Sequence, residues 1–170
     1  MRTKWYETNV MSVLWAVARI WLGLQWLEAG WHKLTGGFDA TGFLNGAIAK
    51  AAGEAPTVQG WYATFLQNFA LPNVELFNIL IPVGELLVGL GLIVGLLTVP
   101  ALIAGAFMNL NFLLAGTLST NPILLALAVI LLFAGKGTYN FGLDRFALPA
   151  MKQFFENKTH RGNHKKPVTV

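Results

Sequence analysis

The chain has 170 residues, of which 55% are hydrophobic and only 12% charged; twelve Lys and Arg against eight Asp and Glu give a formal net charge of +4. That balance, with a mean hydropathy of +0.55, is not that of an ordinary soluble domain and points to an integral membrane protein. The complete lack of cysteine excludes a dithiol relay, thiolate-held iron–sulfur clusters and thiol attack on a sulfur substrate.

Residues 1–10 carry Arg2 and Lys4 ahead of the first apolar block and read as a cytoplasmic N-terminal segment. The first helix is predicted over 11–34, with Arg19 inside it. An arginine there interrupts the apolar run that a cleavable signal peptide needs. Gln25, Glu28 and His32 follow at i, i+3 and i+7 and form one stripe. Arg19, nine residues before Glu28, points nearly the opposite way. Lys33 closes the helix.

Residues 35–73 form a long outer loop. "VQGWYATFLQNFALP" spaces Trp61, Phe65 and Phe69 at i, i+4 and i+8, which predicts an amphipathic helix lying at the membrane surface or capping the bundle. "FDATGFLNGAIAKAAG" predicts a shorter interfacial helix before it.

Three further helices are predicted over 74–96, 99–116 and 121–141. Each block approaches the ~20 residues that cross a ~30 Å hydrocarbon core, and backbone in lipid must bond within its own segment. The fold class is therefore all-α: an integral membrane four-helix bundle over 11–149, with amphipathic interfacial helices in the first outer loop. Gly84, Gly91 and Gly95, with Ala101 and Gly105, supply small residues for close packing. Residues 150–170 read as a basic, disordered cytoplasmic tail. Its Lys158, Arg161, Lys165 and Lys166, together with Arg145 and Lys152, place both termini on the cytoplasmic side of the plasma membrane. The tail is read as a positive-inside signal rather than a nucleic-acid contact, and His160 and His164 lack the companions of a metal site.

Charges inside a membrane are costly, so Arg19, Glu28 and Glu85 mark a candidate site, joined by Gln25, Asn109 and Asn111. Counting helical rise from the membrane edge puts Arg19 at a depth of roughly 9 Å, Glu85 at roughly 15 Å, and Glu28 with the two asparagines at roughly 18–22 Å. Arg19 is accordingly expected to reach toward Glu85 or the headgroups, and Glu28 toward Asn109 or Asn111. Glu85 and Glu28 read equally well as a structural ion pair or protonated acid and as functional carboxyls; the asparagines taken alone read as glue between helices.

"ARIWLGLQWLEAGWHKLTG" from Ala18, with Gly30-x-x-Lys33-Leu34 and then Phe38, resembles the opening of the DoxX family. "GELLVGLGLIVGLLT" from Gly84 is similar to its second helix, and "MNLNFLLAGTLSTNP" and "FGLDRFALP" resemble the DoxD-like branch. That branch includes the large membrane subunit of thiosulfate:quinone oxidoreductase. The resemblance implies a subunit that passes electrons from thiosulfate, or a related reduced sulfur compound, to quinone. It also implies a small subunit or a sulfur-handling protein as partner; a homo-oligomer is a further arrangement open to the chain.

No dinucleotide fingerprint and no intramembrane His pair for haem is visible, so quinone is expected as bound substrate, with no metal, haem or dinucleotide. The expected pocket lies between the first three helices, walled by Trp26, Trp31, Phe107 and Phe112. In it Arg19 and Lys33 bind an anion or neutralise developing charge, Glu28 or Glu85 exchanges protons with a quinone oxygen, and Gln25, Asn109 and Asn111 orient the ligand. Two other classes stay open: a non-catalytic membrane adaptor or ligand-binding protein of the same fold, and a small transporter, against which stands the lack of an inverted repeat.

Overall fold

The computed structural model describes residues 8–52 and 54–163. Arg2, Lys4, His164, Lys165 and Lys166 lie outside the described residues. Within them the chain is all-helical. Helix α1 spans Asn9–Thr35, α2 Ala40–Ala49, α3 Gly60–Phe65, α4 Val74–Val94, α5 Thr98–Leu114, α6 Asn121–Ala134, α7 Lys136–Tyr139 and α8 Asp144–Asn163.

Local chemistry explains most of the boundaries. The hydroxyl of Thr8 accepts from Met11 N to open α1, and Gly36 ends it. Asp39 opens α2 by accepting from the backbone N–H and hydroxyl of Thr41, and these bonds hold its carboxyl below the usual range. Asn78, reaching over from α4, caps the same end by accepting from Ala40 N at 2.8 Å. Gly95, with φ 70°, supplies the left-handed residue that stops α4.

The predicted helix over 121–141 is corrected here. It stops at Ala134, because Gly135 takes φ 55° and the chain restarts as the single turn of α7. The predicted aromatic helix widens after Phe65 into a π-type turn, Leu66–Ala70, which keeps the rings of Tyr62, Phe65 and Phe69 in a contact series. The expectation of irregular chain from residue 150 also gives way: α8 runs on to Asn163.

Packing divides into two layers. Leu22, Trp26, Val88, Leu92, Leu102 and Leu131 form a core shared by α1, α4, α5 and α6. Leu44, Val58, Tyr62 and Leu66 form a second, smaller core in which α2 and α3 sit on the end of the bundle against Ala115. Outside these cores, Val17, Leu24, Ile79, Leu87, Ile103, Ile130 and Phe133 are exposed, so apolar side chains cover the outer faces of α1, α4, α5 and α6. Such a surface suits lipid and not water. Helices α1 and α4, of 27 and 21 residues, are long and apolar enough to cross a membrane; α5 and α6 are apolar but shorter.

The closest helix contact joins α1 and α4, and it uses Gly23, Gly30 and Gly89 rather than the small residues expected to serve close packing. A Cβ on Gly89 would sit 2.6 Å from Leu27 N and 2.9 Å from Gly23 O, and one on Gly30 would sit 2.9 Å from Pro82 O. Gly84 and Gly91 face Met108 and Ala101 of α5, where there is more room. Gly105 of α5 meets Trp26 and Val88.

A third feature locks the far end of the bundle. Asp144 is buried, and its two carboxylate oxygens accept from Leu97 N at 2.8 Å and Thr98 N at 2.7 Å, capping α5 from the start of α8. Leu97 itself sits at φ 54°, a conformation strained for a leucine. Replacing Asp144 with alanine removes both bonds. It is expected to lower unfolding stability in detergent by about 2 kcal/mol, at the upper end for loss of a cap. A thermal unfolding midpoint unchanged from wild type would refute that role.

Candidate functional site

Trp26 and Lys33 are seven residues apart on α1 and so share a face, with Gly30 between them pressed against α4. On α4, Glu85 lies three residues after Pro82, on the face that meets α1. These registers put the Lys33 ammonium 2.8 and 2.7 Å from the two oxygens of the Glu85 carboxylate. Glu85 is 1% exposed, whereas the Lys33 side chain is 26% exposed. The pair is therefore buried on its acidic side and open on its basic side. Lys33 also lies 5.8 Å from the centre of the Phe38 ring, a cation–π contact at the edge of the same site.

The open side faces a pocket of about 250 Å³ lined by Gln25, Trp26, Lys33, Glu85 and Phe112, with Ser119 and Thr120 from the α5–α6 connection and Asn121 from the first turn of α6. A doubly bonded ammonium–carboxylate pair is strongly directional, and it leaves Lys33 one further N–H to donate. The pocket thus offers a cation, a carboxylate and an amide within a largely apolar wall. That set can hold a carbonyl or an anionic oxygen and move a proton to it.

Of the other residues singled out in the sequence, Gln25 and Trp26 join this site. Arg19 does not. It lies fourteen residues before Lys33, about 21 Å away along the helix. There its Nη2 donates to Phe141 O at 2.7 Å, Gly95 and Gly142 crowd its guanidinium, and Asp144 supplies the nearby opposite charge. The expected reach of Arg19 toward Glu85 is therefore corrected: its partners are a backbone carbonyl and an acid at the other end of the bundle.

Glu28 is also placed elsewhere. Five residues from Lys33, it is turned by about 140° around the helix. It is 68% exposed beside His32, at 3.8 Å, rather than facing Asn109 or Asn111. Trp31 is likewise on the outer surface and does not line this pocket.

Asn109 and Asn111 diverge, as their spacing requires. Asn109 points into the bundle, fully buried, and among the described residues neither side-chain atom has a hydrogen-bond partner; the same holds for Trp26 Nε1. Gly105, one turn before Asn109, sits against that indole nitrogen. Asn111 instead accepts from the Tyr62 hydroxyl at 3.0 Å and donates to Phe107 O, tying α5 to α3. Burial pushes the Tyr62 phenol above its ordinary range, so it stays a donor at neutral pH.

Asn111, Tyr62 and Phe107 line a second pocket of about 300 Å³, almost wholly apolar, with Phe65, Phe69 and Phe77. It shares Phe43, Ile81 and Phe112 with the first. The rings of Phe43 and Phe112 meet edge to face at 6.1 Å on this common wall.

A protein-family model described as DoxX matches residues 14–118, a stretch that holds both pockets' shared wall, Lys33, Glu85 and Asn109. No curated protein and no solved structure matches the chain.

Proposed function

Because the chain belongs to the DoxX family, a membrane family associated with oxidoreductase-related functions, we propose that it is the membrane subunit of a quinone-linked oxidoreductase with its ligand site at the Lys33–Glu85 pair. The observation that carries this reading is the pair itself: a carboxylate with 1% exposure held by a lysine that opens onto a pocket. Lys33 donates to one quinone oxygen and neutralises charge as electrons arrive, while Glu85 passes a proton. Gln25 orients the ring, and Trp26 walls the pocket beside it. With thiosulfate as reductant the balance is simple: two thiosulfates join through a new S–S bond and release two electrons, and the quinone takes these with two protons to become the quinol.

In this reading α1, α4, α5 and α6 all cross the plasma membrane as a four-helix bundle. Both termini are cytoplasmic, and α2 and α3 cap the outer side. The aliphatic faces of all four helices and the position of α2 and α3 at one end support that arrangement. A small subunit or a sulfur-handling protein delivers the reductant.

The test is thiosulfate-dependent reduction of a soluble quinone analogue by the purified protein, alone and with candidate small subunits. Glu85→Gln is expected to lower the rate by about a hundredfold, the scale of a lost proton-transfer group. A wild-type rate in the folded variant would remove Glu85 from the mechanism. No activity under any of these conditions would favour a second reading, a non-catalytic ligand-binding or adaptor protein. That reading draws its support from the exposed stripe of Trp61, Phe65 and Phe69, a surface suited to a membrane-bound partner.

A further inference from the structure

The two pockets have different surroundings as well as different linings. The polar one is bordered by Ser119 and Thr120 of the α5–α6 connection and by Asn121 at the start of α6, at the end of the bundle that α2 also occupies. The apolar one is bordered on its outer side by Leu80 and Phe107, which are 55% and 65% exposed and stand on the lipid-suited faces of α4 and α5. One mouth therefore meets water and the other meets acyl chains. The two share a wall of Phe43, Ile81 and Phe112.

We infer that these are two chambers of one site for an amphipathic molecule with a single apolar tail. The ligand enters sideways from the bilayer between Leu80 and Phe107, its tail stays in the aromatic chamber, and its polar head passes Phe43 and Phe112 to reach Lys33 and Glu85. Each chamber alone is at or below the small end of the ~300–1,000 Å³ usual for ligand pockets, and only the two together fall comfortably inside it. The chemistry divides the same way. A tail in the polar chamber would bury Lys33 and the hydroxyls against hydrocarbon, and a polar head in the aromatic chamber would find little beyond the already bonded Tyr62 and Asn111. In this arrangement the edge-to-face rings of Phe43 and Phe112 turn aside to let a planar head through. The aqueous mouth stays free for protons and a soluble reductant.

The inference rests on the quinone reading for the identity of the head group, so the experiment separates head from tail. Binding to the full chain in nanodiscs is measured for three probes: a quinone with a decyl tail, the same quinone without it, and decanoate, which carries the tail on a different head. They are compared in wild type, in Leu80→Trp at the lipid-facing mouth, and in Leu87→Trp. Leu87 is also exposed on α4 but borders neither chamber.

The tailed quinone is expected to bind at least tenfold tighter than the tail-less one. Leu80→Trp is expected to erase that advantage while leaving the tail-less quinone unchanged, and Leu87→Trp to keep it. Equal binding of the two quinones, or an advantage that survives Leu80→Trp, overturns the tail chamber and leaves the head reading standing. Decanoate binding that is sensitive to Leu80→Trp, with neither quinone bound, upholds the chamber and overturns the quinone head. Failure of all three probes overturns both.

Discussion

Gly89→Val is expected to lower the unfolding stability of the protein in detergent by about 3 kcal/mol or to prevent assembly of the bundle. Overpacking of a well-packed site typically costs ~1–3 kcal/mol, and much of that range reflects side chains that can move aside. Here they cannot. A Cβ at residue 89 would lie 2.6 Å from Leu27 N, 2.8 Å from Leu27 Cα and 2.9 Å from Gly23 O, all of them backbone. Relief requires α1 and α4 to separate, and in lipid the helices are held by that close van der Waals contact and not by exclusion from water.

Glu85 is one turn before Gly89, so the same separation draws its carboxylate away from Lys33. The variant should lose ligand binding along with stability. Gly46→Ala is the matching control: on α2 nothing lies within 4 Å of its added Cβ. It should be neutral or stabilising by up to about 1 kcal/mol. Equal unfolding midpoints for Gly89→Val and wild type would show that the glycine contact does not hold the helices.

That contact also explains where sequence reasoning ran out. Apolar blocks are a strong signal because lipid demands them. Glu85 stood out, with Arg19 and Glu28, because charge in such a block is expensive, whereas Lys33 read as the residue that closes the first helix. Which charges meet depends on the register of α1 against α4, and this register follows from Gly23, Gly30 and Gly89 fitting against backbone. A depth count from the membrane edge carries no such information, and it left Arg19 reaching toward Glu85 or the headgroups. Arg19 was misplaced for a second reason. Its bonded partner is the carbonyl of Phe141, and every residue has a carbonyl, so a search for opposite charges passes over it.

Asp144 could have been found. It is an acid in "FGLDRFALP", directly after the last apolar block, where the basic tail draws attention to charge and away from caps. The shortened α6 turns on Gly135 adopting φ 55°, a choice open to any glycine and made by its surroundings. Trp26 and Lys33 at i and i+7 were legible as a face, but the polar stripe of Gln25, Glu28 and His32 was the more conspicuous pattern. Of that stripe, Glu28 and His32 lie on the exposed side of α1, and only Gln25 reaches the polar pocket.

The Lys33–Glu85 pair should respond asymmetrically to the loss of its two members. Lys33→Met leaves a carboxylate of 1% exposure with no cation, and breaking a buried pair from one side costs about 3–5 kcal/mol. Glu85→Gln leaves Lys33 with an amide oxygen still able to accept from it. Lys33 is also on the pocket side, with a stem long enough to carry its ammonium toward water, so the cost should be near 1 kcal/mol. The double variant Lys33→Met/Glu85→Met removes both charges and fills their space with apolar atoms. Such replacements are often neutral or stabilising.

A double-mutant cycle of unfolding in detergent should therefore rank Lys33→Met as the least stable and show the double variant rescued toward wild type. Ligand binding should be lost in the double variant despite that rescue. A charged pair that the fold can replace with hydrophobic side chains, but that the ligand cannot, is there for chemistry and not for packing. A double variant as unstable as Lys33→Met, or one that keeps wild-type ligand binding, would make the pair a structural strut between α1 and α4 and remove the ground for the quinone site.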